Sequence, residues 1–352
     1  MHTKLSPMAS LFLFIFLASL TVGSAGDQNP LTQKSYLIRY WNKQTGNSHT
    51  KPVFLLSKAS PLSADESASF AKLASSHNHN ALSSRLSAFC ASANLLCFPD
   101  SSSPTHTDAI CLRYSINCPP PLDTADQRSH TTGIFFRESM LKKGTVMPMW
   151  DIKDKLPERS FLPRSISSKL PFSTSKISEL KRVFHAGDNS TMETMIVETL
   201  TDCEKAPGLG ETKRCVGSAE DMIDFAVSVL GSRNVAIRTT KNANGSKQSI
   251  MIGSVKGING GKVMQQSLSC HQSLFPYLVY YCHSVPKVRV YEADILDPNS
   301  KAKINHGVAV CHLNTSSWDP NHEAFLELGS GPGRIEVCHW IFENDLTWTV
   351  AD

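Results

Sequence analysis

The chain carries little charge for its length. Asp, Glu, Lys and Arg make up 19% of its 352 residues, and the formal net charge is only +4. So small an excess gives no electrostatic case for a nucleic-acid partner. Apolar runs of membrane-spanning length are missing too. The run Leu11 to Leu20 is too short to cross a bilayer, and no other stretch could, so no membrane partner is expected. Common enzyme signatures are also lacking. There is no Gly-x-Ser-x-Gly elbow. Gly329-Ser330-Gly331-Pro332-Gly333 is glycine-rich, but it precedes a strand-like segment and reads as a turn, not a phosphate cradle.

What the chain does contain is one two-residue word used four times. Cys270-His271, Cys282-His283, Cys311-His312 and Cys338-His339 are separated by ten, twenty-seven and twenty-five residues. With 10 Cys and 13 His in the chain, chance gives roughly 0.4 such pairs. Neighbouring side chains on a strand point to opposite faces. A Cys-His pair on a strand therefore sends sulfur one way and imidazole the other. Four such strands side by side place disulfides on one face and a histidine cluster on the other. The flanks agree. His306, Val308, Val310 and His312 fall on one face, with Ala309, Cys311 and Leu313 opposite. Ile335, Val337, His339 and Ile341 share a face, opposite Cys338, Trp340 and Phe342. Imidazoles among apolar residues need partners. A shared metal supplies one, and an all-nitrogen set suits Cu, Zn or Ni. The plainer alternative is that the sulfurs do the structural work and each histidine is a satisfied core residue.

The compartment follows from the first residues. Lys4, the apolar run from Leu11 and the small residues Gly23, Ser24 and Ala25 read as a secretory signal over residues 1–25. In an oxidising compartment the cysteines form a disulfide framework. Cys203 and Cys215 bracket a loop with Pro207, Gly208 and Gly210 and are placed to staple two helices. Cys90, Cys97, Cys111 and Cys118 allow three pairings. Asn189, Asn244 and Asn314 head glycosylation sequons.

Four segments follow: the signal at 1–25, a small helical region at 26–100, a Ser/Thr/Pro-rich linker at 101–133, and a large domain from 134 to 352. In the second, Tyr36 to Trp41 is an aromatic patch. Ser63 with Glu66 forms a capping box, and Leu82, Leu86 and Phe89 repeat with helical spacing. Residues 137–182 hold eleven Lys or Arg against five Asp or Glu, a solvated basic face or a contact for a polyanion. Helices are expected around Ile177–Phe184, Met192–Leu200 and Ser218–Gly231, with methionines as core filler. Strands are expected at 235–239, 249–252, 263–268, 277–283, 288–291, 306–313, 335–342 and 346–350, with a turn at Asn259-Gly260-Gly261. Cys270-His271 fits a strand or a loop. Helices followed by strands give an α+β fold with an antiparallel sheet, stapled by disulfides.

The Cys-His array, with its spacing of ten and then about twenty-five residues, resembles the BURP domain of plants. Phe135-Phe136-Arg137-Glu138, Leu141-Lys142 and Gly144 through Met149 resemble that family's opening motif. The N-terminal block is similar to the polygalacturonase 1 beta-like group, through Ser35 to Lys43, Lys58-Ala59-Ser60-Pro61-Leu62, Phe89-Cys90 and Ala93-Asn94-Leu95. That group carries a long Phe-x-x-Tyr repeat array, which Asp100 to Gly133 lacks. The resemblance implies a secreted protein of the apoplast and cell wall. It would be a non-catalytic subunit that binds or modulates polygalacturonase on pectin and affects wall loosening and cell expansion. It also implies an alternative, a copper-dependent peptide cyclase crosslinking Tyr or Trp of its own chain through His271, His283, His312 and His339. The N-terminal region offers such a cyclase only Tyr36, Tyr40-Trp41 and Tyr114.

Hydrolysis of pectin needs two carboxylates flanking the scissile bond. Asp221 and Asp224 belong to a helix cap and outer face, and Asp294, Asp297 and Asp319 fall in loops with no sign of convergence. A thiol nucleophile is disfavoured, because adjacency on a strand points sulfur and imidazole apart.

Overall fold

Eleven strands form two antiparallel sheets among the described residues. The computed structural model describes residues 32–46, 51–75, 79–97, 133–241 and 248–352. The signal at 1–25, linker residues 101–132, Cys111, Cys118, Tyr114 and Asn244 lie outside the described residues.

The six-stranded sheet runs β1 (Phe135–Phe136), β10 (Val337–Trp340), β9 (Lys303–His312), β8 (Val288–Leu296), β5 (Gln248–Gly257) and β2 (Val146–Met149). The five-stranded sheet runs β3 (Thr212–Val216), β7 (Val279–Ser284), β6 (Leu268–Ser273), β11 (Leu346–Val350) and β4 (Val235–Arg238). The α+β class is as expected, but the strands divide into two sheets rather than one. The Cys-His strands are shared two and two, β6 and β7 in one sheet, β9 and β10 in the other. Cys270-His271 lies on a strand. The segment expected as a strand at 263–268 is displaced to Leu268–Ser273, and Met264 keeps only an isolated bridge to Val288. Strands β1, β2 and β3 were not expected. They are short edge strands, whose sequences carry too little period-2 pattern to read.

The helices follow local chemistry. Ser63 accepts from the Glu66 N–H, and the Glu66 carboxylate accepts from the Ser63 N–H, closing the capping box of Ala64–Ala74. Ser218 caps Ala219–Leu230 by accepting from the Asp221 N–H, and Gly231 ends it at φ 60°. The Leu82–Phe89 repeat divides into two helices, Asn80–Ser83 and Leu86–Ala93. The aromatic patch is a helix, Gln33–Gln44, capped by Thr32 and burying Leu37 and Trp41 one turn apart. At the turn after β5, Asn259, Gly260 and Gly261 all have positive φ, a run that side chains beyond glycine and asparagine resist.

The region before the linker packs into the same cores as the rest, and Thr32–Asp352 forms one unit. Leu62, Phe70, Leu82 and Phe89 share a core with Leu162, Leu180, Ile196 and Phe275. Leu37, Trp41 and Leu55 share another with Met222, Phe225, Leu268, Cys270, Cys282 and Trp348. This second core covers the sulfur face of the five-stranded sheet. Ala309, Cys311, Cys338, Trp340 and Phe342 lie in a third core, on the sulfur face of the six-stranded sheet. Gly307 admits the Trp340 indole there, since a Cβ at 307 would lie 2.7 Å from the ring.

The Cys203–Cys215 disulfide joins the helix Thr191–Glu204 to β3, and not two helices as expected. Cys90 pairs with Cys97. Much of the basic charge of 137–182 is matched within the molecule. Arg137 pairs with Glu336, Arg164 with Asp221 and Asp224, and Lys181 with Asp188 and Glu193. Arg159 is buried and donates to the carbonyls of Pro157 and Ser273. Asp294 lies on β8 and not in a loop, paired with Lys303. Among the described residues, no helix is long and apolar enough to cross a membrane.

Candidate metal centre

Each sheet contains the same module. On β6 and β7, Cys270 and Cys282 are directly opposite and disulfide-linked. On β9 and β10, Cys311 and Cys338 are opposite and linked in the same way. The pleat then sends the four following side chains to the other face. Register places the imidazoles of each pair diagonally, since His271 faces Tyr281 and His283 faces Ser269, while His312 faces Val337 and His339 faces Val310. The ring centroids are 5.4 Å apart in both modules.

The two modules meet. His271 of one sheet and His339 of the other have centroids 6.5 Å apart. The four imidazoles line one cavity of about 340 Å³, whose other walls include Phe135, Glu211, Val285, Trp318 and His322. Trp318 lies between two imidazoles, 5.3 Å from His312 and 4.7 Å from His322. The opening motif contributes to both faces of the six-stranded sheet. Phe135 lines the cavity and pairs with His339 through β1 and β10, while Glu138 accepts from Arg289 and Tyr291 of β8, whose register partners are Cys311 and Ala309 on the sulfur face.

Burial decides the charge of the rings. It pushes His312 well below the usual imidazole range, with His339 adding to the effect. It pushes His339 down to about 4, helped by His271. His283 is lowered by burial against the opposing pull of Glu211. These rings are neutral near pH 7, which is the form that donates a lone pair to a metal. Glu211 is held down to about 2, chiefly by its hydrogen bond from His283.

Two observations test whether the residues fit an ion. His312 Nε2 and His339 Nε2 are 3.2 Å apart, close to the roughly 3 Å separating two nitrogens bound at about 2.0–2.1 Å to one ion. His312 Nδ1 is buried without a hydrogen-bond partner, so binding an ion through Nε2 would leave a buried N–H at Nδ1 unsatisfied, a cost that the other three rings do not carry. Among the described residues, no three His, Cys, Asp or Glu side chains already converge on one point. The donors therefore fit an ion in kind and proximity, and closing around one needs side-chain adjustment.

Every histidine of the Cys-His array is brought to this cavity, and every sulfur of the array is turned away from it. Glu211, Asp345, Trp318 and His322 were not anticipated. Glu211 sits in the loop inside the Cys203–Cys215 bracket, and Asp345 in the turn before β11. No local pattern marks either. Asn189 and Asn314 are both exposed.

A family model for the BURP domain matches residues 134–350. The chain belongs to the BURP domain family. The chain is similar to polygalacturonase-1 non-catalytic subunit beta from Solanum lycopersicum, with 74% identity over 220 residues, 62% of this chain and 35% of that protein. Polygalacturonase 1 beta-like protein 3 from Arabidopsis thaliana is 70% identical over 220 residues, again 62% of this chain and 35% of that protein. This chain thus spans about a third of the length of these relatives. BURP domain-containing protein 16 from Oryza sativa subsp. japonica is 46% identical over 364 residues, covering 98% of this chain and 99% of that protein.

Proposed function

We propose that this BURP protein is a secreted, non-enzymatic cell-wall glycoprotein that associates with a polygalacturonase and pectin, and that its histidine pocket holds a metal ion, copper foremost. The observation that carries this reading is the 74% identity, over 220 residues, with a protein named as a polygalacturonase non-catalytic subunit. The chemistry of the pocket supports it. Glycoside hydrolysis needs a carboxylic acid whose proton affinity is raised. Glu211, which lines this pocket, is held at about 2 and stays ionised, and Glu327, which is raised to about 7, is occupied by the Gly133 and Phe135 N–H groups. Asp221 and Asp224 are taken up by Arg164. The cations of the basic stretch that face solvent for pectin are chiefly Lys142, Lys143, Lys153 and Arg182, all exposed. Glycosylation is proposed at Asn189, Asn244 and Asn314. The test is retention: protein secreted by plant cells should co-purify with a polygalacturonase or bind de-esterified pectin. Free passage over both removes the support for this function.

The second reading is the copper-dependent cyclase. Four imidazoles beside an aromatic wall of Phe135 and Trp318 favour it. The placement of two candidate substrates, Trp41 and Tyr40, does not. Trp41 is buried on Trp348, on the sulfur side of the five-stranded sheet, and the Tyr40 hydroxyl donates to Asp224. Both lie across that sheet from His271. Copper, when bound, would supply one-electron chemistry. Incubation with Cu(II) should then remove about two mass units per crosslink, the two hydrogens lost in oxidative coupling. An unchanged peptide map eliminates the cyclase.

A further inference from the structure

We propose that Glu211 and Asp345 are positioning residues of the histidine pocket, holding His283 and His271 as Nδ1–H tautomers so that each Nε2 presents its lone pair to the cavity. The use of those lone pairs rests on the metal reading above. The tautomers themselves do not.

The geometry is direct. His271 Nδ1 lies 3.1 Å from Asp345 Oδ2, and His283 Nδ1 lies 2.9 Å from Glu211 Oε1. An ionised carboxylate only accepts hydrogen bonds, so each Nδ1 carries the hydrogen. A neutral imidazole has a single N–H, which leaves Nε2 as the acceptor. Such a carboxylate behind a histidine fixes the ring's orientation and raises its basicity toward a metal.

The carboxylates are themselves fixed. Asp345 is fully buried, and its Oδ1 accepts from the Gln272 N–H at 2.9 Å. Glu211 accepts from the Tyr281 hydroxyl at 3.1 Å and from the Gly208 N–H at 2.7 Å. Gln272 and Tyr281 sit on the very strands that bear His271 and His283. Each carboxylate is thus tied to its histidine's own strand and cannot rotate without losing a second bond.

The other module is built differently. His339 Nδ1 faces the Trp340 carbonyl oxygen at 3.2 Å, again an acceptor, which leaves its Nε2 as a lone pair. His312 must then donate from Nε2 to His339 Nε2, and its own Nδ1 is the buried nitrogen without a partner. Three histidines are therefore preset as Nε2 donors. His312 is set the wrong way and has to move its hydrogen to Nδ1 before its Nε2 can bind a metal.

The experiment uses the full chain, ¹⁵N-labelled and metal-free, with tautomers read from two-bond nitrogen–proton correlations. His271, His283 and His339 should appear as Nδ1–H and His312 as Nε2–H. Nε2–H at both His271 and His283 overturns the proposal. Glu211→Ala should leave His283 as a tautomer mixture and weaken Zn(II) or Cu(II) binding about 10–100-fold. Glu211→Gln, which keeps an acceptor oxygen, should restore much of both. A Glu211→Ala protein that loses thermal stability while His283 stays wholly Nδ1–H assigns Glu211 a merely structural role and also overturns the proposal. Asp345→Ala tests His271 in the same way, with Asp345→Asn as its restoring variant. If these buried variants do not fold, the wild-type tautomers and the Glu211 pair still decide the matter. Wild type with the expected tautomers but no uptake of copper or zinc supports the positioning and rejects only the metal reading.

Discussion

Replacing Trp41 with Ala, far from the pocket in sequence, should destabilise the whole BURP domain. Trp41 is 2% exposed and its ring lies 5.9 Å from Trp348. Trp348 is on β11, which pairs with β6 through Leu346 and Cys270. The void left by the indole would open against β11, the neighbour of the strand that carries His271. Truncating a buried tryptophan costs about 3–5 kcal/mol, the lost transfer energy plus an incompletely collapsed cavity. Total domain stability is commonly about 5–15 kcal/mol, so the loss is a large share of it. The assay is urea unfolding of the full chain, followed by far-ultraviolet dichroism and by the histidine ring resonances. Wild type should unfold with both probes coincident, and Trp41→Ala should lower both midpoints together, by about 1–2 M for a slope of roughly 3 kcal/mol/M. Two separated transitions, with the substitution moving only one, would show that the N-terminal helices form a body of their own and would refute the shared core.

Three further outcomes are expected. His312→Ala should abolish metal binding while the Cys311–Cys338 disulfide persists, because the two side chains occupy opposite faces of β9; mass spectrometry and metal analysis of one sample report both, and equal metal content in the variant rejects the site. Removing the Cys203–Cys215 link by paired Ser substitutions should cost about 3 kcal/mol for a loop of this size, measured by denaturation. Glu327 is raised to about 7 by burial, although its carboxylate accepts from the Gly133 and Phe135 N–H groups. Its folded value exceeds its unfolded one, so it contributes stability at low pH that is lost as pH rises from about 4.5 through about 7. Partial exposure reduces this to roughly 1–2 kcal/mol. Glu327→Gln should flatten that part of the pH–stability curve, and an unaltered slope rejects the assignment.

The Cys-His array needed no structure to be read. Alternation along a strand is a local property of the backbone, so sulfur and imidazole part wherever a pair lies on a strand, and the neighbours of His312 and His339 already set both rings among apolar residues; that Cys270-His271 lies on a strand and not in a loop only the fold decided. The caps at Ser63 and Ser218 were legible for the same reason, since their hydrogen bonds close within one turn. Sequence could not show that the four strands belong to two sheets, because strand partners are chosen by contacts between residues far apart in the chain. It could not show that Trp41 lies beneath β11, because an amphipathic helix has the same pattern whichever core it covers. Glu211 and Asp345 were invisible for a sharper reason. Each acts through a single hydrogen bond to a ring more than seventy residues away, and only the folded chain brings them behind the histidines they hold.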